Sequence, residues 1–227
     1  MFGRKEVAMK HWFGNTQRGF TLVETMFVAL LFPLLFLSMY SVMDMSRVIF
    51  NTNSVYSQLN HNAMQSLRSI SREIGQSSPL QTPSHLTIAQ NATGNSMVTF
   101  QIPVDWDGDG DAHTGTLNPQ TEWGAYSRAG ETANGQLGAW TQYYVVNNPV
   151  TNTNQLVREV LNAAMVPIAG TQQIVVNNVN TFTIVRNQNI LRMTLVLTGT
   201  SQIGQAGGQR VYTTTFTSES SLRNAVN

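Results

Sequence analysis

The chain has 227 residues, enough for one long helix and one globular domain. Its formal charge is +1 and charged residues make up 11%, far below the ~25% of a typical domain, which argues against a general nucleic-acid-binding surface. It contains no cysteine, so disulfides, thiolate metal sites and cysteine nucleophiles are excluded.

The charge is unevenly placed. Residues 1–19 carry Arg4, Lys5, Lys10 and Arg18 against Glu6, whereas the rest of the chain has nine Arg, no Lys and eleven acidic residues. From Phe20 to Val42 nearly every residue is apolar and Glu24 is the only charge. A bilayer needs ~20 apolar residues to be spanned. A basic segment before such a run predicts a cytoplasmic N-terminus, with the domain beyond the membrane. A charge inside the run costs about 2.5–3.5 kcal/mol at mid-bilayer, so Glu24 needs a partner.

Arg18-Gly19-Phe20-Thr21-Leu22-Val23-Glu24, followed by the apolar run, resembles the class III signal of type IV pilins and pseudopilins. The resemblance implies that a prepilin peptidase cuts after Gly19 and that the new first residue, Phe20, is N-methylated. It also implies that Glu24 pairs with the N-terminal amine of a neighbouring subunit during assembly. Paired opposite charges in hydrocarbon cost less than separated ones. A secretory signal would be cut after its apolar run; here the cut precedes the run, so the helix stays with the mature protein. The alternative is an ordinary signal-anchor helix with a chance Glu.

Phe20 to about Gly75 reads as one helix, about 84 Å long at 1.5 Å per residue. Pro33 removes a hydrogen bond and predicts a kink or local melting near Ala29–Pro33. Met45, Ile49, Tyr56, Leu59, Ala63, Leu67, Ile70 and Ile74 recur at helical spacing and predict one buried stripe. Asp44, Arg47, Gln58, Arg68 and Arg72 fall largely off it.

Gly75 ends the helix, and Ser77, Ser78, Pro79 and Pro83 form a loop. Period-two patterns then predict strands at His85–Gln90, Met97–Pro103, Ala139–Asn147, Gln155–Leu161, Thr181–Arg186, Ile190–Thr198 and Arg210–Ser218. Asn187-Gln188-Asn189 is a hairpin turn, Gly204–Gly208 a second turn, and Ala163–Thr171 a linker with a little helix before it. Tight turns between consecutive strands favour an antiparallel sheet packed on the helix stripe. The expected class is α+β. The expected divisions are a leader (1–19), a membrane half of the helix (20–43), an amphipathic half (44–76) and a β-rich domain (77–227).

Ser66-Leu67-Arg68-Ser69-Ile70-Ser71-Arg72-Glu73-Ile74, and Leu156-Val157-Arg158 after the Trp140–Val146 strand, resemble PilW-type minor pilins and the J-type minor pseudopilins of type II secretion. Many exported pilins close a C-terminal loop with a disulfide, and this chain departs from that pattern.

Asp105-Trp106-Asp107-Gly108-Asp109-Gly110-Asp111 is the other concentrated signal. Calcium takes six to eight oxygens, and alternate Asp residues with Gly supply them from one tight turn. In an EF-hand-like reading Asp105, Asp107 and Asp109 take the first, third and fifth positions, and Asp111 offers its carbonyl. Thr116 stands where a bidentate Glu belongs, so this is not a full EF-hand, and Glu122 closes the set instead. The expected cofactor is Ca2+ in a structural role; the alternative is a solvated turn rich in Asp and Gly. His113 beside the loop reads as a surface residue, and Trp106, Trp123 and Trp140 as core or loop anchors, with carbohydrate stacking as the other use.

No P-loop, dinucleotide fingerprint, His-Glu-x-x-His motif or Gly-x-Ser-x-Gly elbow occurs, and no enzyme is expected. The resemblance implies a structural subunit that helps initiate or cap a type IV pilus or type II secretion pseudopilus. Its partners would be the prepilin peptidase, other pilins or pseudopilins, and the bacterial inner membrane. The alternatives are a pilus-tip adhesin and a signal-anchored periplasmic protein unrelated to pili.

Overall fold

The computed structural model describes residues 19–78, 84–114, 120–131, 135–203 and 208–222, without the side chains of residues 114, 202 and 203. The leader, most of the Pro79–Pro83 loop, Thr116 and the Gly204–Gly208 turn fall wholly or largely outside these residues. The fold is α+β: one long helix and antiparallel strands. The chain divides into two compact units, up to Ser46 and from Arg47 onward.

Helix α1 spans Leu22–Ile74 and runs unbroken through Pro33. The local melting expected there is absent, because one missing hydrogen bond is bridged by the turns on either side. Its N-terminal part is long and apolar enough to cross a membrane, and none of its most apolar stretch is buried. Burial begins further on, at Leu59, Ala63, Ser66, Leu67, Ile70, Glu73 and Ile74. The predicted stripe is therefore too long: Met45, Ile49 and Tyr56 are exposed. Periodicity shows which face is apolar, but not where its covering sheet ends. The helix stops at Gly75, whose amide still bonds Ser71 O at 3.0 Å. A Cβ at Gly75 would lie 2.9 Å from that same oxygen.

Thirteen strands follow among the described residues. They are β1 (Leu86–Gln90), β2 (Ser96–Phe100), β3 (Ile102–Pro103), β4 (His113–Thr114), β5 (Gln120–Thr121), β6 (Trp123–Ala125), β7 (Gln136–Leu137), β8 (Trp140–Asn148), β9 (Thr153–Leu161), β10 (Gln173–Asn177), β11 (Val179–Asn187), β12 (Ile190–Ile203) and β13 (Gly208–Ser221). They form sheets ordered β1-β2-β8-β9-β10, β11-β12-β13, β3-β6-β7 and β4-β5. Each predicted strand has a counterpart, though the run Met97–Pro103 is split into β2 and β3. Strand β10 and the short pairs β4–β7 were not expected. The stretch before the Ala163–Thr171 linker is strand, not helix, and the linker itself is turns with a bridge from Leu161 to Pro167.

The Asn187-Gln188-Asn189 turn joins β11 to β12 as expected, with Gln188 at φ 53°. The two larger sheets are stitched by side chains. Asn95 Oδ1 accepts from Phe182 N–H and Ser96 Oγ from Ile184 N–H, each at 2.8 Å. These bonds satisfy amides on the edge of β11 that would otherwise be buried without acceptors. The core unites the helix stripe with Val98, Phe100, Leu156, Phe182, Met193 and Leu195.

Candidate functional site

The N-terminal motif has a defined local structure. Gly19 and Phe20 precede the helix and are exposed, Phe20 by 82%. Thr21 is the N-cap: Glu24 N–H donates to Thr21 Oγ1 at 3.3 Å. Thr21 N–H and Oγ1–H both donate to Glu24 Oε2, each at 3.0 Å. This is a reciprocal capping box, in which Thr and Glu three residues apart satisfy two orphan donors of the helix start. The Gly19–Phe20 peptide thus lies in exposed chain outside any helix or strand, just ahead of the capped helix end.

The acidic loop is pinched at its neck by Glu122. Val104 N–H donates to Glu122 O and Glu122 N–H to Ala112 O, both at 2.9 Å. Inside the loop, Asp105 accepts from Gly108 N–H at 2.7 Å and Gly110 N–H at 3.0 Å. Asp107 and Asp109 accept from the amides two residues on. Gly108 and Gly110 take φ of 82° and 89°, which suits residues without a Cβ. The result brings one carboxylate oxygen each from Asp105, Asp107 and Asp109 within 4.8 Å of one another.

Asp111 and Glu122 fall outside that group of three. Asp111 is hydrogen-bonded to His113 Nδ1 at 2.9 Å, which holds its carboxyl below the usual range. Glu122 is only 3% exposed, and its Oε2 has no hydrogen-bond partner among the described residues. The tryptophans do not form one surface. Trp123 stacks on His85 at 4.2 Å, with Trp140 at 6.4 Å from the same ring, whereas Trp106 is 49% exposed rather than anchored.

A third cluster was not anticipated. Arg158, 1% exposed, donates to Glu73 through Nη2 at 2.6 Å and Nε at 3.1 Å. Nη2 also donates to Tyr126 O at 2.8 Å, and Nη1 donates to Ser127 O at 3.1 Å. Tyr143 O–H donates to the other carboxylate oxygen of Glu73. Burial, then the Glu73 charge, push the Tyr143 hydroxyl well above its usual pKa. Burial works against the Arg158 charge, but Glu73 outweighs it and the guanidinium is held more firmly protonated. The signal was present in the sequence: Glu73 follows Ser66 and Ile70 at seven and three residues, on the buried stripe. Compared with known proteins, the chain matches no protein-family model, no curated protein and no solved structure.

Proposed function

We propose that the chain is a structural subunit, a minor pilin or pseudopilin, that acts by assembly rather than catalysis. The observation that carries this reading is the Gly19–Glu24 motif set at the start of an exposed apolar helix. The candidate cleavage point is uncovered, the helix begins two residues later, and Glu24 is the single charge in the apolar run. On this reading the subunit sits in the inner membrane, is cut after Gly19 and methylated on Phe20. Its helix then packs among those of its neighbours, in a complex that initiates or caps a pilus or pseudopilus. The test is the intact mass and N-terminal sequence of the protein recovered from membranes. A chain beginning at N-methylated Phe20 is expected; one still beginning at Met1, in cells with an active prepilin peptidase, overturns the reading.

The acidic loop is proposed to hold a structural calcium ion. Supporting this are three carboxylates converging within 4.8 Å, the oxygen-only donor set, and the mutual repulsion that a cation would relieve. A ligand at a hundred times its Kd stabilises the native state by about 2.7 kcal/mol, or roughly 5–11 °C for a domain of this size. The melting temperature should rise by that order in calcium over chelator, and the rise should vanish in Asp107→Asn/Asp109→Asn. An identical melt with and without calcium removes the proposal.

A further inference from the structure

The hairpin β12–β13 lies along α1 with a definite register. At one end Ser220 Oγ donates to Ser71 O at 2.9 Å. At the other, the Tyr212 hydroxyl meets Thr52 Oγ1 at 3.0 Å, and its ring packs edge-on against Tyr56 at 5.1 Å. Strand and helix therefore run the same way. Eight strand residues at ~3.3 Å rise cover about the same distance as the 15–19 helix residues between those contacts at 1.5 Å. The same arithmetic places Arg210, two residues before Tyr212, about 7 Å further towards the helix N-terminus, level with the turn that begins at Arg47.

Arg210 lies over the Tyr212 ring at 5.7 Å. Neither Arg210 nor Arg47 has an ion pair among the described residues, and both are exposed. Phe50 is 73% exposed and Val211 64%. Arg47 comes four residues after Met43, close behind the apolar run, and Asp44 is the only acidic residue between Glu24 and Glu73. Packed tyrosine rings, arginines without an ion pair and open apolar side chains are the composition of a membrane–water boundary.

We propose that this end of the domain, formed by Arg47, Phe50, Tyr56, Arg210 and Val211, rests on the bilayer surface and takes anionic phospholipid headgroups. The inference rests on the membrane-anchor reading of the helix. Each arginine at an anionic surface favours contact about fivefold, so the pair favours it about 25-fold. The contact would fix how the unassembled domain stands on the membrane before it enters a fibre.

The full chain, reconstituted in vesicles, tests this with single nitroxide labels, which are clean because the protein has no native cysteine. A label at Val211→Cys should be shielded from a water-soluble relaxation agent in phosphatidylglycerol vesicles and not in phosphatidylcholine vesicles. Arg47→Gln/Arg210→Gln should abolish the shielding. So should 1 M salt on the unaltered pair, where the screening length falls to ~3 Å. A label at Leu35→Cys reports separately on the anchor: if it is not in hydrocarbon, the anchor reading fails and takes this inference with it. If Leu35 is in hydrocarbon but the Val211 label is equally open, or equally shielded, in both lipids, the headgroup contact alone is refuted.

Discussion

Removing Glu73 while leaving Arg158 tests how the helix is fixed to the sheets. The guanidinium is 1% exposed and donates to Glu73, Tyr126 O and Ser127 O. In Glu73→Ala it keeps the two carbonyls but loses its counter-charge, and Tyr143 loses its acceptor. Stranding one member of a buried pair costs about 3–5 kcal/mol, roughly 6–20 °C of melting temperature for a domain of this size. Arg192–Glu219, at 2.8 Å with side chains 65% and 52% exposed, is the internal control. Such solvent-screened pairs contribute about 0–1 kcal/mol. Replacing both partners, as in Glu73→Leu/Arg158→Met, leaves no charge buried but should recover little of the loss. Two carbonyls would still lack a donor, at about 1–3 kcal/mol each.

The assay is thermal and urea unfolding of the full chain in detergent, followed by near-ultraviolet circular dichroism and analysed with a full double-mutant cycle. Strong coupling is expected between positions 73 and 158 and little between 192 and 219. If Glu73→Ala is no worse than Glu219→Ala, the buried cluster does not hold the helix and the argument fails.

Gly199 lies opposite Tyr212 on β12, and a Cβ there would sit 2.7 Å from Val55 Cγ1 and 3.1 Å from Leu59 Cδ1. Gly199→Ala should lower stability by about 1–3 kcal/mol through overpacking, and Val55→Ala should partly restore it in melting experiments. Tyr143 keeps its proton in the folded state beyond the ordinary pKa of 10.0, so the unfolded chain ionises first and stability falls as pH rises through about 10. Phenolate absorbance should show one tyrosine that ionises only with unfolding, and Tyr143→Phe should flatten the alkaline loss. For the N-terminus, Thr21→Val should loosen the first helical turn in hydrogen exchange yet leave Glu24 charged. Glu24→Gln should keep an acceptor for the cap yet lose fibre incorporation. Equal assembly defects in the two variants would contradict a role for the charge itself.

Long patterns were legible in the sequence and local junctions were not. The apolar run and the helix to Ile74 could be read because many residues repeat one period. The hairpin of β11 and β12 could be read because Asn187-Gln188-Asn189 interrupts two β-branched runs. The short strands β4–β7 escaped because two or three residues carry no period, and β10 because Gln173–Asn177 holds only three apolar residues in a row. Arg158 could not be assigned from its strand alone. Its burial depends on Glu73, 85 residues away, and on carbonyls at 126 and 127 that no side-chain pattern encodes. In the acidic loop the sequence placed Asp105, Asp107 and Asp109 together, but it did not show that the Asp111 side chain bonds to His113 two residues on.

Glu24 joins the local chemistry to the proposed assembly. In the single chain its carboxylate is already engaged by Thr21 N–H and Oγ1–H. Helix caps of this type contribute about 0.5–2 kcal/mol, less than the about 2.5–3.5 kcal/mol cost of a mid-bilayer charge. The cap therefore orders the helix start without removing the penalty for the charge. What removes it is a cation. On the proposed pathway, cleavage after Gly19 creates one: the new amine of Phe20, one residue before the cap. That amine belongs to the same short, exposed segment in every copy, so packing helices side by side brings each carboxylate near a neighbour's ammonium. The more apolar the surroundings, the larger the gain from pairing. On that proposal, the run from Phe20 to Val42 offers no second charge to compete for the pairing.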